Sequence, residues 1–371
     1  MMSPKKILED IKQNNNQLFR SFLPSSDTNF NEFKNFKKFK TVIIIGMGGS
    51  ILSSKAVYSF LKHKIKKDFV FIDNLDQSFL EKVKKKYNFS KTLFLIISKS
   101  GNTTETIINS SYFKAYLKKK NTIILSENKN NILREFARRK KLKFIKHNPN
   151  IGGRFSVFSN VGMLPAYLMG LKIKKFKKET VKFLKNNKML NNSLKQFKKL
   201  NFKKNKILIL FNYVPELNDF LSWCQQLMAE SLGKNGKGFL PVISNAPKDH
   251  HSLLQLYLDG PKDKVFYIFY SKADKNLKLN YNFFGNKLNY LNNKKYNTIK
   301  LSQKKAFAEV LKKNKITFRE ISIKKFDEST LGKLFFLFIF ETIALAKIMK
   351  VNPFDQPSVE KVKIITKKIL S

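Results

Sequence analysis

Short apolar runs separated by helical patterns are the feature that most constrains the fold of this chain. In the first half, five apolar runs alternate with four helical patterns. The runs lie at 41–46, 69–72, 92–98, 122–126 and 143–145, and the helical patterns lie near 51–62, 76–87, 103–119 and 129–140. Strands that are apolar throughout and joined by helices are typical of parallel sheets covered on both faces. The first half is therefore predicted to form a doubly wound parallel sheet of five strands.

The second half follows a similar plan. Its apolar runs lie at 206–211, 238–243, 264–270, 297–300 and 316–323, with helical patterns near 216–232, 250–258 and 303–314. Residues 271–296 show no clear period and are predicted to be an insertion, and helical patterns at 328–349 and 355–370 close the chain. The predicted fold class is α/β, with two doubly wound α/β/α sandwich domains, a parallel five-stranded sheet in each, and C-terminal helices.

These patterns divide the chain into five predicted parts. Because 154–198 is mostly helical, a connecting region is expected between the two sheets. The parts are an N-terminal helical segment (1–40), a first domain (41–175), a helical linker (176–205), a second domain (206–350) and a C-terminal segment with a helix (351–371).

The formal charge of +47 raises the question of nucleic-acid binding. Only six of the 73 basic residues are arginine, although arginine is favoured for bidentate phosphate contacts and for reading base edges. The lysines are spread along most of the chain. The charge therefore indicates a solvated lysine-rich surface with general attraction to polyanions, and no specific nucleic-acid or membrane partner is expected.

Cysteine content and hydropathy bear on the compartment. The one cysteine, Cys224, allows no intramolecular disulfide, which fits a reducing environment. The N-terminus has no apolar segment of the kind that a signal peptide needs. The most apolar window, 331–349, contains Lys333, Glu341 and Lys347, and charges inside a membrane span are costly. This window is predicted to be a buried core helix, and the protein is predicted to be cytoplasmic.

Two strand ends carry sequences suited to an anion. The first strand ends at Gly46, and Gly49 and Ser50 follow in the turn to a helix, where backbone N–H groups can approach a phosphate. Neither the dinucleotide-binding fingerprint nor the Walker pattern is present, since Ile51 occupies the position of the third glycine. By itself this loop could be a phosphate loop or only a tight turn.

The third strand leads into the segment SKSGNTTET, which has five hydroxyl residues in nine positions. A helix cap needs one hydroxyl, so the surplus predicts a second anion loop at the same sheet edge. We expect Ser98, Ser100 and Thr103 to surround one phosphate group together with Ser50, and Lys99 to contribute through its backbone N–H.

At this point the sequence resembles a known family. SKSGNTTET is similar to the phosphosugar-binding loop of sugar isomerase (SIS) domains, which have a flavodoxin-like fold. Four further segments, in order, narrow the resemblance to the glucose-6-phosphate isomerase family: GGRFSVFSNVG (152–162), QQLMAESLGKNGKG (225–238), KDHHSLLQLYLDGP (248–261) and NPFDQPSVEKVK (352–363). The chain is shorter than familiar members, and it departs from the family pattern at Asn102, Phe158, His250 and Ser358.

The resemblance implies reversible isomerisation of glucose 6-phosphate to fructose 6-phosphate, in glycolysis and gluconeogenesis, through ring opening and a cis-enediolate. It implies no cofactor and no metal. Glu230 matches the catalytic base. It closes a helical pattern before Gly233, where the helix dipole disfavours negative charge. Gln226, one turn earlier on the same face, matches a substrate contact, and Gly153 and Gln356 match further contacts.

Three other residues match catalytic positions. His251 matches the ring-opening histidine, which in the family comes from the neighbouring subunit, so the resemblance implies a homodimer. Residue chemistry alone would not separate it from His250. Arg154 matches a group that stabilises the enediolate, with a structural ion pair as the alternative. Lys363 matches the family's C-terminal lysine, which assists at the ring oxygen of the sugar. Lys361 is the nearest alternative for this match.

Two other classes of protein would share part of this sequence pattern. A non-catalytic regulator that binds sugar phosphates would keep the hydroxyl-rich loop and lose Glu230, Arg154, His251 and Lys363. All four are present, which favours an aldose–ketose isomerase. The hypothesis of a nucleic-acid-binding protein is supported only by the net positive charge.

Overall fold

The computed structural model describes residues 3–26, 29–185, 188–197, 200–201, 204–273, 277–278 and 286–371. In the first half, strands β1 to β5 form one sheet in which every recorded pair is parallel. The strands are β1 (Thr41–Ile45), β2 (Asp68–Ile72), β3 (Thr92–Ile97), β4 (Thr122–Glu127) and β5 (Lys143–His147). Their order is β2-β1-β3-β4-β5, as predicted for a doubly wound sheet. The strand order reverses between β1 and β3, which is where such sheets bind ligands.

Helices cover both faces of this sheet and extend the first half at each end. They are α1 (Pro4–Asn14), α2 (Asn16–Ser21), α3 (Leu52–Leu61), α4 (Gln77–Lys86), α5 (Thr104–Tyr112), α6 (Ile132–Arg139), α7 (Asn160–Leu168), α8 (Ile173–Phe176), α9 (Lys178–Lys185) and α10 (Lys188–Phe197). Short 3-10 helices at Gly48–Ser50 and Gly153–Phe158 lie where the sequence predicts functional loops. Strand β3 is buried along its whole length, as its unbroken apolar run predicts.

The second sheet has four parallel strands in the described part of the chain, and the predicted fifth strand is wrong. The strands are β6 (Ile207–Asn212), β7 (Leu240–Asn245), β8 (Lys264–Ser271) and β9 (Phe318–Ile323), in the order β7-β6-β8-β9. The run at 297–300 belongs instead to the first turns of helix α14 (Tyr296–Lys313). No turn signal separates this short run from the helix-favouring residues that follow, so it continues their helix.

The other helices of the second half are α11 (Asn218–Leu232), α12 (Asp249–Ser252), α13 (Leu254–Leu258), α15 (Glu328–Ile348) and α16 (Val359–Leu370). Helix α15 is the buried core helix that the window 331–349 predicts. Its buried Glu341 is paired with Arg319, whose guanidinium donates to both carboxylate oxygens at 2.8 and 2.6 Å. No helix in the described ranges is both long and apolar enough to span a membrane.

Helix α11 connects the two halves. It packs on α3 of the first half and on α15 of the second half. This contact turns one face of α11 toward the loop that follows β1. The division of the chain at 176, 206 and 351 remains a prediction, and the proposed insertion at 271–296 lies partly outside the described residues.

Candidate active site

Arg154 is the centre of the candidate site. Its side chain is only 2% exposed, and all three of its nitrogens donate hydrogen bonds. Nε donates to the Ser231 hydroxyl at 2.9 Å, and Nη1 donates to the Gln356 side chain at 2.7 Å. Nη2 donates to the carbonyl oxygens of Pro353 and Asp355 at 2.6 and 2.9 Å. One guanidinium therefore ties α11 to the C-terminal segment.

Glu230 is the acidic partner of this guanidinium. Its Oε2 accepts from Arg154 Nη1 at 3.0 Å, and its Oε1 accepts from Gln226 Nε2 at 2.8 Å. Both carboxylate oxygens are thus oriented by neighbours, yet 27% of the side chain stays exposed. Burial lowers the pKa of Arg154, and the nearby Glu230 and Asp355 counteract that effect. The pair places an oriented carboxylate beside a fixed positive charge.

The glycine turn after β1 packs directly against this cluster. A Cβ on Gly49 would lie 2.2 Å from the carbonyl carbon of Gly153, so only glycine permits this approach. Gly48 has a φ of +50°, and a Cβ there would lie 2.7 Å from Gln226 Nε2. The Ser156 hydroxyl also lies 3.3 Å from the Gly49 carbonyl oxygen, which it can donate to. The turn that holds Ser50 therefore contacts Gly153, which precedes Arg154, and Gln226, which is hydrogen-bonded to Glu230.

The hydroxyl-rich loop after β3 is held in shape by its own side chains. The hydroxyls of Ser98 and Thr103 lie 2.8 Å apart, and the backbone N–H of Gly101 donates to Ser98 Oγ at 3.1 Å. The Asn102 N–H donates to Ser100 Oγ at 3.2 Å. Gly101 has a φ of +69°, and a Cβ there would collide with the Asn131 side chain. Only glycine fits at position 101, and the turn that it permits places the loop's hydroxyl groups together.

The two loops lie side by side. A Cβ placed on Gly46 would be 2.9 Å from the Ile97 carbonyl oxygen and 3.3 Å from Ser50 Cβ, so the end of β3 lies against Gly46, with Ser50 on the same turn. The side chain of Lys99 lies 3.8 Å from the Glu127 carboxylate. Burial lowers the pKa of Lys99, Glu127 opposes this, and Arg154 is close enough to lower it further. The hydroxyl loop and the Arg154 cluster thus share one electrostatic environment.

A cavity of about 670 Å³ opens beside Glu230. Glu230, Lys234, Asp355, Gln356 and Ser358 are among the residues that line it. Its size suits a small-molecule ligand. The arrangement can hold an anionic group at two adjacent loops and present a carboxylate and a guanidinium to the rest of the molecule.

Comparison with known proteins identifies the family. The model of the family described as phosphoglucose isomerase matches residues 5–371. The chain belongs to the phosphoglucose isomerase family. A relative in Methanocaldococcus jannaschii, named glucose-6-phosphate isomerase, is 32% identical over 357 residues, which cover 91% of this chain and 86% of the relative.

Solved structures agree on the fold. A hypothetical protein from Thermus thermophilus superposes with a TM-score of 0.84 at 24% identity and covers 99% of this chain and 96% of its own. A glucose-6-phosphate isomerase from Chlamydia trachomatis gives a TM-score of 0.73 at 18% identity and covers 99% of this chain and 74% of its own. At these identities the structures support the architecture of the phosphoglucose isomerase family rather than particular residue roles.

His251 and Lys363, which match catalytic positions of the family, take no part in the hydrogen bonds described for Arg154 and Glu230. His251 lies on α12 and is exposed, in a surface depression that it shares with His250 and Gln255. Lys363 lies on the exposed helix α16, and the hydrogen bonds described for Arg154 and Glu230 go to other groups. Of the other sequence-predicted residues, Gly49, Gly153, Gln226 and Gln356 do meet the Arg154–Glu230 pair.

Sequence reasoning missed several residues that support the pair. The indole N–H of Trp223 donates to the Arg154 carbonyl oxygen at 3.1 Å, and Ser231 accepts from the guanidinium. Lys234 forms an ion pair with Asp355 at 3.1 Å and donates to the Ser231 carbonyl oxygen at 3.1 Å. Ser231 and Lys234 lie inside a family-like segment, and Asp355 adjoins Gln356 in another. Their proximity in sequence was the signal that could have found them.

Gly49→Ala tests whether the two loops must touch. The new methyl group would overlap the backbone of Gly153, so we expect a loss of stability of about 1–3 kcal/mol and a raised KM for a phosphorylated substrate. Thermal unfolding and steady-state kinetics measure both effects. Gly152→Ala is the matched control, because a Cβ there meets only Phe155 Cδ2 at 3.4 Å. Equal behaviour of the two variants would contradict the close packing.

Proposed function

We propose that this chain is a glucose-6-phosphate isomerase, which interconverts glucose 6-phosphate and fructose 6-phosphate in the cytoplasm as part of glycolysis and gluconeogenesis. The observation that carries the proposal is the oriented Arg154–Glu230 pair, joined through Gly49 and Gly153 to two anion-accepting loops, in a chain of the phosphoglucose isomerase family. The proposal needs no cofactor and no metal.

The reaction requires a base that moves a proton between C1 and C2. Glu230 suits this role because its carboxylate is partly exposed to the cavity and oriented through both oxygens. A positioned general base contributes about 10²–10⁴-fold to such a step. As the proton leaves, negative charge develops on the sugar oxygens. The Arg154 guanidinium, which donates from a fixed position and keeps its proton, stabilises that charge.

The phosphate is the part of the substrate that does not react. Ser50, Ser98, Lys99, Ser100 and Thr103 lie on the two neighbouring loops and supply hydroxyl and backbone donors for it. Anchoring the phosphate there sets the distance at which C1 and C2 meet Glu230. Fixing the reactive carbons in this way lowers the entropic cost of the reaction.

A homodimer would complete the site. In this proposal, His251 of a second copy opens the sugar ring and Lys363 acts at the ring oxygen. One surface of the single chain supports a partner. On α16, Val362, Ile365 and Ile369 are 69%, 57% and 77% exposed. Apolar side chains grouped in this way are typical of a protein–protein interface.

Mixing two inactive variants tests the function and the shared site together. The wild-type chain is expected to form fructose 6-phosphate from glucose 6-phosphate, whereas Glu230→Gln and His251→Ala homodimers are not. If His251 acts across the interface, coexpression of both variants creates a mixed dimer with one intact site. Random pairing then restores about a quarter of wild-type turnover.

Each outcome of this assay is informative. No turnover by the wild type overturns the isomerase. An active wild type with no recovery in the coexpressed mixture overturns the exchange of His251 between subunits. A mixture of the separately purified homodimers, assayed at once, is the control, because its subunits have not had the chance to exchange.

A further inference from the structure

His250 and His251 are adjacent on α12, and residue chemistry alone does not separate them. The structure places them in different surroundings, because His250 is half-buried whereas His251 is exposed. The proposed function uses only His251. His250 is thus a packed histidine, without an assigned role, immediately next to the one that the proposed function uses.

The His250 ring is packed between two elements of the second half. It stacks on Phe211 of β6, with the ring centroids 5.5 Å apart and an angle of 28° between the planes. From α14, the Phe307 ring also lies 5.5 Å away, centroid to centroid. Contacts with two aromatic rings leave the imidazole little freedom to rotate, so position 250 is fixed relative to the sheet.

A hydrogen bond sets the protonation of this ring. The Tyr213 hydroxyl lies 2.7 Å from His250 Nε2. Burial raises the pKa of Tyr213, so the phenol keeps its proton and donates it. Nε2 is therefore the acceptor, and the ring proton is on Nδ1. Burial and the neighbouring His251 lower the pKa of His250, and Asp249 opposes them, so the neutral ring is favoured.

Asp249 holds the other side of the same turn. Its carboxylate accepts from the Ser244 hydroxyl at 2.9 Å and from the Asn245 N–H at 2.6 Å, which ties α12 to β7. It also accepts from the Ser252 hydroxyl at 3.0 Å. Asp249 and the residue after it thus both anchor α12 to the sheet. Because successive residues of a helix point about 100° apart, His251 is left on the outer side.

We propose that His250 is a positioning residue for His251: by accepting the Tyr213 hydrogen bond, its ring fixes the turn that presents His251 to the sugar. This inference rests on the proposed function, in which His251 opens the sugar ring. Ring opening breaks the bond between C1 and the ring oxygen, and a proton passes from the C1 hydroxyl group to that oxygen. A proton carrier must stay aligned with the reacting oxygens, so a small displacement of His251 slows the step.

A double-mutant cycle tests the pair. Tyr213→Phe removes the donor and keeps the ring, and His250→Phe removes the acceptor and keeps the stacking. Each variant is expected to lower kcat by about tenfold and to keep KM within about twofold of the wild type, because the phosphate loops are untouched. The double variant should lose no more than either single variant, because both changes remove the same hydrogen bond.

Two further variants separate positioning from stability. His250→Gln is the conservative exchange, and its amide oxygen can accept from Tyr213, so it should keep most of the wild-type kcat. Tyr290→Phe is the matched control, because it removes a hydroxyl from a side chain that is 71% exposed. Additive losses in the double variant would overturn the pairing. An unchanged kcat with a lowered melting temperature would show that the pair only stabilises the fold, which would also overturn the proposal.

Nuclear magnetic resonance tests the positioning without turnover. The chain has only four histidines, so labelling histidine with nitrogen-15 gives a small set of ring signals. His250 is expected as the Nδ1–H tautomer, and the His251 signals should shift or broaden in Tyr213→Phe and not in Tyr290→Phe. An Nε2–H tautomer at His250, or His251 signals that Tyr213→Phe leaves unchanged, would overturn the inference. A wild type without turnover would overturn the proposed function, while these signals would still decide whether His250 orients His251.

Discussion

Glu230→Gln is expected to lose about 10²–10⁴-fold in turnover while it still binds sugar phosphate. The amide keeps the shape of the side chain and can still meet Arg154 and Gln226, but it cannot take a proton from carbon. The hydrogen bonds described for the Glu230 side chain go to Arg154 and Gln226 and not to the phosphate loops, so substrate affinity should change only a few-fold. Fructose 6-phosphate formation and calorimetric binding measure the two effects separately.

Exchange of the C2 hydrogen gives an independent measurement of the same step. Substrate labelled with deuterium at C2 should exchange with solvent on the wild-type enzyme and not on Glu230→Gln. Glu309→Gln is the matched control, because it removes an exposed carboxylate on α14 that lies outside the candidate site. A Glu230→Gln enzyme that retains more than about a tenth of wild-type turnover would show that another group is the base.

The sequence predicted the first sheet well because its strands differ so clearly from their surroundings. All six residues of β3 are buried, and the polar turn that follows marks its end sharply. The second sheet was harder. The run at 297–300 has the composition of a short strand, but it is continuous with a helix, and tertiary context decides such cases.

In the candidate site, too, the residues next to a strand end could be predicted from the sequence, whereas contacts between distant parts of the chain could not. The Gly49 and Ser98 loops could be located from local sequence because each follows a strand directly. Arg154 and Gln356, 202 positions apart, were assigned to one site only through family resemblance, and the hydrogen bond between them could not be inferred from spacing. Trp223 acts through a buried contact on α11, and nothing in the helical pattern separates it from ordinary core residues.

Arg154→Lys is expected to lower kcat by about 10²–10³-fold and to lower the melting temperature as well. A lysine retains the charge, but it has one nitrogen where arginine has three. It cannot serve Ser231, Glu230 and the two carbonyl oxygens of the C-terminal segment at once. Each buried acceptor left unpaired costs about 1–3 kcal/mol, so stability falls together with activity.

The two effects of Arg154→Lys have different causes and can be separated. If the guanidinium stabilises the enediolate, the variant should bind an anionic hydroxamate analogue of that intermediate about 10²-fold more weakly, because such analogues report on transition-state contacts. Its affinity for glucitol 6-phosphate, which carries the phosphate but no developing charge, should change little. Arg139→Lys, an exposed exchange on α6, controls for the substitution itself. A variant with a lowered melting temperature and an unchanged kcat would contradict the prediction, because the guanidinium's several hydrogen bonds would then serve stability and not the chemical step.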